Sequence, residues 1–155
     1  ALNWDQRAGT SWIMDVIRQF PLEQQQRIRV TVDDSVSVAG DLRQLSWALQ
    51  DLITNALKYS EGMVYVSLIA EPTGYSLTVR DEGKGVANQE ITRIFERFYR
   101  SPRHAHSDIR GTGLGLSIAQ RIVEAHGGVI WAENLVPTGF QIRVEWPARL
   151  GGATA

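Results

Sequence analysis

Residues 40–60 read GDLRQLSWALQDLITNALKYS, and apolar side chains recur in this stretch at steps of three and four residues. That spacing puts them on one face of an α-helix and makes this the clearest helix in the sequence. Gly40 and Asp41 mark its start. The apolar positions are Leu42, Leu45, Leu49, Leu52, Ile53 and Ala56.

Strand patterns lie on both sides of this helix. Apolar and polar residues alternate over 28–32, 64–69, 75–80 and 140–146, and two further short strands are expected at 36–39 and 129–132. Alternation with a period of two residues predicts strands with one buried face. Pro72, Thr73 and Gly74 predict a tight turn between the strands at 64–69 and 75–80.

Shorter helical patterns complete the chain. They cover 11–20, with Ser11 as N-cap and Pro21 as stop, then 88–95, then 114–126, which ends at Gly127 and Gly128. The helices are not regularly interleaved with the strands. We therefore expect an α+β two-layer sandwich, in which a mixed sheet is covered on one face by helices.

The composition is that of one globular domain. The chain has 155 residues, of which 43% are hydrophobic and 21% charged, with a net charge of −1. The charge balance argues against nucleic acid as a partner, and the lack of cysteine excludes disulfides and zinc–thiolate sites. We expect a linker at 1–10, a domain at 11–147 and a flexible tail at 148–155.

The sequence shows no membrane signal. No apolar run reaches the roughly 20 residues that span a bilayer, and the start lacks a signal-peptide pattern. We expect a cytoplasmic domain with no membrane contact of its own, whose parent protein can still be a membrane-anchored sensor.

Polar residues interrupt the long helix on one side. Asn55 lies four residues after Asp51, and Lys58 and Tyr59 lie three and four residues after Asn55. These spacings place them on one stripe. An Asn amide oxygen suits magnesium and a Lys can neutralise phosphate charge, although a merely solvated helix face has the same spacing.

A second cluster, DEGKG at 81–85, follows the strand at 75–80. The Asp81 carboxylate could accept the exocyclic amine of adenine, whereas guanine would present an acceptor oxygen to it. Gly83 and Gly85 would let the backbone approach a flat base. An acidic, glycine-containing turn between strands is the simpler alternative.

A third cluster, GTGLGL at 111–116, opens the helix at 114–126. Glycines at a helix N-terminus expose backbone N–H groups to phosphate. The string is neither a Walker A loop nor a Rossmann fingerprint. It could equally be the hinge of the unpatterned stretch at 96–111, which we interpret as a lid.

A fourth cluster, IFERFYR at 94–100, stands at the mouth of that stretch. Phe95 and Phe98 could anchor its root in the core, which would leave Arg97 free to reach a γ-phosphate. An amphipathic helix end with salt-bridging arginines is an equal alternative.

The four clusters occur in a characteristic order. DLITNALKYS at 51–60, DEGKG at 81–85, IFERFYR at 94–100 and GTGLGL at 111–116 closely resemble the N, G1, F and G2 boxes of sensor histidine kinases. The similarity spans residues 11–147. It implies the Bergerat ATP-binding fold of the GHKL superfamily, shared with gyrase, MutL and the large heat-shock chaperone ATPases.

The resemblance also implies roles for individual residues, with ATP and Mg²⁺ as cofactors. Asn55 would ligate magnesium, Lys58 would meet the phosphates, Asp81 would read adenine and Arg97 would assist transfer. The remaining nucleotide contacts would come from Tyr59, Gly83, Gly85, Gly111, Thr112, Gly113, Leu114 and Gly115.

Asp51 departs from the family pattern, because the kinases often have Asn there. The related ATPases have a Glu at this position that activates water for hydrolysis. We expect Asp51 to act at the magnesium ion, since residues 58–60 and 94–100 are kinase features. A general base in an ATP-hydrolysing clamp is the alternative.

The phosphoacceptor of the family is missing. In the kinases it is a histidine on a preceding helical hairpin, a setting that His104, His106 and His126 do not share. His126 is expected to complement the dipole at a helix C-terminus. We therefore expect a monomer that phosphorylates a histidine on a separate dimerisation domain, upstream of a response regulator. A degenerate docking module is a further alternative.

Overall fold

The computed structural model describes residues 2–33, 36–95 and 112–148. The strands within these residues are β1 Asp5–Ala8, β2 Ile28–Val32, β3 Ser37–Gly40, β4 Val64–Glu71, β5 Gly74–Asp81, β6 Val129–Asn134 and β7 Phe140–Pro147. The helices are α1 Gly9–Ile17, α2 Leu22–Gln25, α3 Leu42–Tyr59 and α4 Thr112–Ala125, with a 3₁₀ helix at Asn88–Arg93.

Within the described residues, five strands form one mixed sheet in the order β2-β4-β5-β7-β6. β2 pairs with β4 in parallel, and the other neighbours are antiparallel. The parallel pair needs a long connection, which α3 supplies, whereas a two-residue turn joins β4 to β5. The expected α+β sandwich with a mixed sheet is confirmed.

The core lies between the sheet and the long helices. Along β7, Phe140, Ile142, Val144 and Trp146 are buried, and the intervening residues are only partly so. The apolar face of α3 meets this layer, with Leu49, Leu52 and Ile53 almost completely buried. The buried face of the strand, predicted from its period-two pattern, therefore packs with the apolar face of the helix in one core.

Side chains and turns fix the helix ends. Asp41 is the N-cap of α3, and its Oδ1 accepts the backbone N–H of Gln44 at 3.2 Å. At the end of α4, Gly128 N–H donates to Val123 O at 2.9 Å and Gly127 N–H to Glu124 O at 3.0 Å. Gly127 has a φ of +77°, so these bonds form a Schellman motif and confirm the predicted stop.

The N-terminal segment differs from the expected linker at 1–10. Its residues 5–8 form β1, which pairs antiparallel with β3. Helix α1 begins at Gly9 rather than Ser11, and Gly9 N–H donates to Val36 O at 2.9 Å. All four β1 side chains are exposed, so the strand has no buried apolar face and is held through its backbone hydrogen bonds. Its sequence therefore shows no apolar alternation.

Two short elements also differ from expectation. The helix expected at 88–95 is a 3₁₀ helix that ends at Arg93, with Ile94 and Phe95 buried directly after it. Helix α2, which follows Pro21, was not predicted. Phe98 and the expected lid at 96–111 lie outside the described residues. Among the described helices, none is long and apolar enough to cross a membrane.

His126 joins both long helices to the N-terminal segment. Its ring is fully buried, with Nδ1 2.8 Å from Ile122 O and Nε2 accepting the Asp41 N–H at 3.0 Å. These contacts fit a neutral ring that carries its proton on Nδ1. The expected interaction with the end of a helix is present, but it is a hydrogen bond rather than the effect of a cation on the dipole.

We predict that His126→Ala lowers the free energy of unfolding by about 2–4 kcal/mol, because it leaves the Asp41 N–H without its acceptor and opens a cavity. Urea denaturation measures the change. His126→Phe, which keeps ring volume but removes the acceptor, should lose less. Val136→Ala is the control, since Val136 is 95% exposed. A loss below about 1 kcal/mol for His126→Ala would contradict this role.

Candidate functional site

The polar stripe predicted for the long helix lies on the C-terminal half of α3. Asn55 is 8% exposed and Asp51 is partly buried, whereas Lys58 is exposed. The Oδ2 atom of Asp51 is buried and has no hydrogen-bond partner among the described residues. Burial of the first two residues is more than a solvated helix face requires.

Asp51 is electrostatically unusual. Burial raises the pKa of its carboxyl to about 6, against a smaller lowering by the positive charge of Lys58. A buried carboxylate oxygen without a donor and an amide oxygen one turn later are the hard donors that Mg²⁺ prefers. Magnesium keeps several waters and needs only one or two protein ligands, so these residues fit that ion.

Asp81 lies at the end of β5 and is 4% exposed. Its Oδ1 accepts the backbone N–H of Gly83 at 2.7 Å, and no described residue donates to Oδ2. Burial raises the pKa of Asp81 to about 6, although the Gly83 hydrogen bond and the charges of Arg27 and Arg80 act in the opposite direction. The result is a rigid carboxylate that can accept one further donor.

The turn after Asp81 packs against the end of α3. A Cβ atom built on Gly83 would lie 2.9 Å from Tyr59 O and 3.2 Å from the Ser60 Cβ. The carbonyl of Gly83 accepts the Gly139 N–H at 3.0 Å. The predicted first and second clusters are thus neighbours, and a side chain at Gly83 would separate them.

Asn134, at the end of β6, contacts the turn that contains Gly85. Gly85 has a φ of +76°, and a Cβ there would overlap the Asn134 Oδ1. That oxygen accepts the Val86 N–H at 3.1 Å, while Asn134 Nδ2 donates to Val86 O at 2.5 Å. Gly85 therefore serves a strained turn and a close internal contact, in addition to any approach by a ligand.

The predicted phosphate-binding glycines open α4. Residues 112–115, which include Thr112, Gly113, Leu114 and Gly115, form the first turn of this helix, two residues earlier than expected. The first four N–H groups of a helix have no partner within it, and α4 packs beside α3. Gly111 and Arg97, the other two predicted contacts, lie outside the described residues.

The chain also matches known proteins. Residues 40–150 match the family described as histidine kinase-, DNA gyrase B-, and HSP90-like ATPase. This match covers more than half of the chain.

The chain belongs to this ATPase family.

Similar proteins include a sensor histidine kinase and a heme sensor protein. The sensor histidine kinase WalK of Bacillus subtilis is 35% identical over 139 residues, which are 85% of this chain and 23% of that protein. The heme sensor protein HssS of Staphylococcus saprophyticus is 40% identical over 126 residues, which are 79% of this chain and 26% of that protein. The chain thus spans about a quarter of these relatives.

A solved structure shows the same fold. The catalytic domain of histidine kinase ThkA superposes with a TM-score of 0.81 at 24% identity, covering 96% of this chain and 97% of that one. The family match and these relatives identify an ATP-binding catalytic domain of the histidine kinase type, within the GHKL superfamily.

Three residues that position the site were missed by sequence reasoning. Asn134 and Gly139 reach the glycine turn from the β6–β7 hairpin, and Arg27 approaches the end of α3 from the residue before β2. Each acts over a long sequence separation. The only local signal was that Asn134 and Gly139 flank a turn, which does not indicate what they contact.

We predict that Asp51→Asn stabilises this ATPase domain without nucleotide by about 1 kcal/mol near pH 7.5, a figure discounted for partial exposure. The folded carboxyl has its pKa raised above the ordinary 3.8 to about 6, so the folded state binds more protons between pH 4 and 6. The free energy of unfolding of the wild type therefore falls as pH rises through this window. The amide of Asp51→Asn does not titrate, so the variant does not lose this stability.

Urea denaturation at pH 4 and pH 7.5 measures the effect. The advantage of Asp51→Asn should become much smaller at pH 4, where the wild-type carboxyl is protonated in the folded state and already partly protonated in the unfolded state. Asp5→Asn is the control, because Asp5 is exposed on β1. An advantage of the variant that does not change with pH would contradict the assigned cause.

Proposed function

We propose that this chain binds Mg-ATP and donates the γ-phosphate to a histidine on a separate dimerisation domain of a two-component sensor kinase. The observation that carries the proposal is the Asp81 carboxylate, buried and fixed by Gly83 beside the end of α3. The family match supports nucleotide binding by this region.

Adenine selection follows from the geometry of Asp81. One carboxylate oxygen is occupied by the Gly83 N–H, which supports a role for the other oxygen as acceptor of a ligand donor. The exocyclic amine of adenine is such a donor, whereas the O6 atom of guanine is an acceptor and would face a negative charge. Gly83, Gly85 and Tyr59 would then border the base.

The phosphate end would lie along α3 towards α4. Asn55 and Asp51 offer oxygen ligands to Mg²⁺, which would neutralise phosphate charge, and Lys58 adds a cation one turn later. The backbone of residues 111–115 would hold phosphate oxygens at the start of α4, and Arg97 would assist transfer. Asp51 is assigned to the metal rather than to water activation.

The proposed acceptor is another protein segment. His126 is fully buried with both ring nitrogens in hydrogen bonds, so it cannot receive a phosphoryl group in the folded domain. His104 and His106 lack the sequence setting of the family's acceptor. We assign the acceptor histidine to the dimerisation domain of the same parent, which then passes the phosphate to a response regulator in the cytoplasm. The isolated domain is proposed to be monomeric.

We predict that Asp81→Asn lowers affinity for Mg-ATP by about tenfold or more and reduces the preference for ATP over GTP. The amide can donate to guanine O6, which the carboxylate repels. Isothermal titration calorimetry with both nucleotides at pH 7.5 measures the change. Asn55→Ala removes a proposed magnesium ligand, so it should weaken ATP binding and make that binding less dependent on magnesium.

Glu71→Gln is the matched control for Asp81→Asn. It removes a carboxylate from the exposed far end of the same hairpin, and both affinities should stay at wild-type values. Wild-type protein that binds GTP as tightly as ATP would refute the role of Asp81. Wild-type protein with no affinity for ATP would favour the docking-module alternative.

We predict that the chain phosphorylates a histidine-bearing dimerisation domain supplied in trans, with Mg-ATP labelled on the γ-phosphate. The dimerisation domain of B. subtilis WalK is a suitable acceptor, and the catalytic domain of WalK is the positive control. Acid-labile label on the acceptor is expected, and none on this chain alone. An unlabelled acceptor with a working control would count against the kinase proposal.

The same reaction without acceptor tests the hydrolytic alternative. Asp51 resembles a poised general base, because its pKa is about 6 and its Oδ2 has no partner among the described residues. Phosphate release that Asp51→Asn abolishes would favour an ATP-hydrolysing clamp. Retention of phosphotransfer by Asp51→Asn when the acceptor is present would favour the kinase.

A further inference from the structure

The end of α3 is closed by side chains rather than by a glycine. Its C-cap residue, Ser60, is extended, with φ −141° and ψ 167°. Ser60 Oγ donates back to Ala56 O at 2.8 Å, which satisfies one of the last carbonyls of the helix. The following carbonyls need other donors, because the last four of any helix lack partners within it.

Arg27 supplies those donors from the residue before β2. Its Nη1 donates to Leu57 O at 3.2 Å, its Nη2 to Ser60 O at 2.9 Å and its Nε to Gly62 O at 3.0 Å. One planar guanidinium thus connects the last turn of α3 to the loop that leads into β4. A Lys ammonium has all its N–H donors on one nitrogen, so it cannot reach the three carbonyls in the way that the guanidinium does.

The positive charge of Arg27 has no carboxylate within salt-bridge distance in the described part of the chain. It stands instead at the negative end of the α3 dipole. The charged groups that act on Asp81 are Arg27, Arg80 on its own strand and Glu82 beside it. Arg27 is the member of this set that also holds backbone of α3.

The loop that Arg27 holds forms one side of the glycine turn. Tyr59 O and Ser60 Cβ are the atoms that a side chain at Gly83 would meet. Glu82 fastens the same loop from the other side, since its Oε1 accepts the Met63 N–H at 3.1 Å. Displacing residues 60–63 would therefore disturb both Gly83 and the Asp81 carboxylate bonded to it.

We infer that Arg27 is a positioning residue for the adenine end of the proposed site: its three carbonyl contacts hold the end of α3 against the turn at Gly83 and so fix Asp81. This inference rests on the proposed function. Arg27 also lowers the pKa of Asp81, whose largest influence is the opposing effect of burial. It therefore acts on the carboxylate through both geometry and charge.

The test uses calorimetry with Mg²⁺ and a non-hydrolysable ATP analogue between pH 5 and 8. Wild-type affinity should fall as the pH drops through about 6, where Asp81 and Asp51 both take up a proton. Arg27 acts on the pKa of Asp81 and is not among the groups that act on Asp51, so a change of midpoint in the Arg27 variants reports on Asp81. Arg27→Met should weaken binding at pH 7.5 by about tenfold. It should also move the midpoint of the pH profile upward, because a cation that favours the carboxylate is lost.

Arg27→Lys separates charge from geometry. It retains the cation but not the fork, so it should lose several-fold in affinity while its midpoint stays near that of the wild type. Arg29→Met is the matched control, because Arg29 is exposed and, among the described residues, bonds only the nearby carbonyls of Gln26 and Ile28. Its affinity and midpoint should equal those of the wild type. Titration of the ligand is the same in every comparison and cancels.

Wild-type affinity and midpoint in folded Arg27→Met would overturn the inference. A loss of affinity without a shifted midpoint would reduce Arg27 to a general structural role and also overturn it. If Arg27→Met does not fold, Arg27→Lys decides: reduced affinity at an unchanged midpoint supports the inference, and wild-type affinity rejects it. Failure of the wild type to bind the analogue removes the proposed function, and the inference falls with it.

Discussion

The packing of α3 on the sheet is the constraint on which both the core and the site depend. Its apolar face is buried against the strands, while Asp51 and Asn55 project from the same helix. A slip by one turn would move Asn55 by about 5.4 Å relative to β5. The helix is fixed at its start by Asp41 and at its end by Arg27. The packing of α3 in the core thus also fixes the positions of Asp51 and Asn55.

Burial at the site has a thermodynamic consequence. Asp51 and Asp81 are both desolvated, and neither is paired with a neighbouring cation at salt-bridge distance within the described residues. Such groups lower the stability of the domain without ligand at neutral pH, and a ligand that brings a cation or an N–H donor recovers part of the loss. Natural sites commonly give up stability in this way for function.

The sequence predicted the elements whose cause is local. The spacing in α3, the alternation in β7 and the stop at Gly127 each follow from short-range physics and are present in the structure. Asp81 and Gly83 were predicted for the site because a carboxylate and a glycine follow a clear strand. Arg27 and Asn134 could not be placed, because each acts on partners 30 or more residues away and leaves no period. The helix end at His126 was expected, but its hydrogen bond to Asp41 was missed for the same reason. β1 was missed because it contributes backbone rather than apolar side chains.

The N-terminal segment bears on how the domain can be produced. Residues 40–150 suffice for the family match, but Asn3 N–H donates to Asp41 Oδ2 at 3.1 Å and the Trp4 ring lies 5.9 Å from that of His126. An expression boundary drawn at the edge of the match would remove β1, β2 and most of β3, and would uncover a buried imidazole. Recombinant fragments should therefore begin upstream of Asn3, with any fusion partner attached through a flexible spacer.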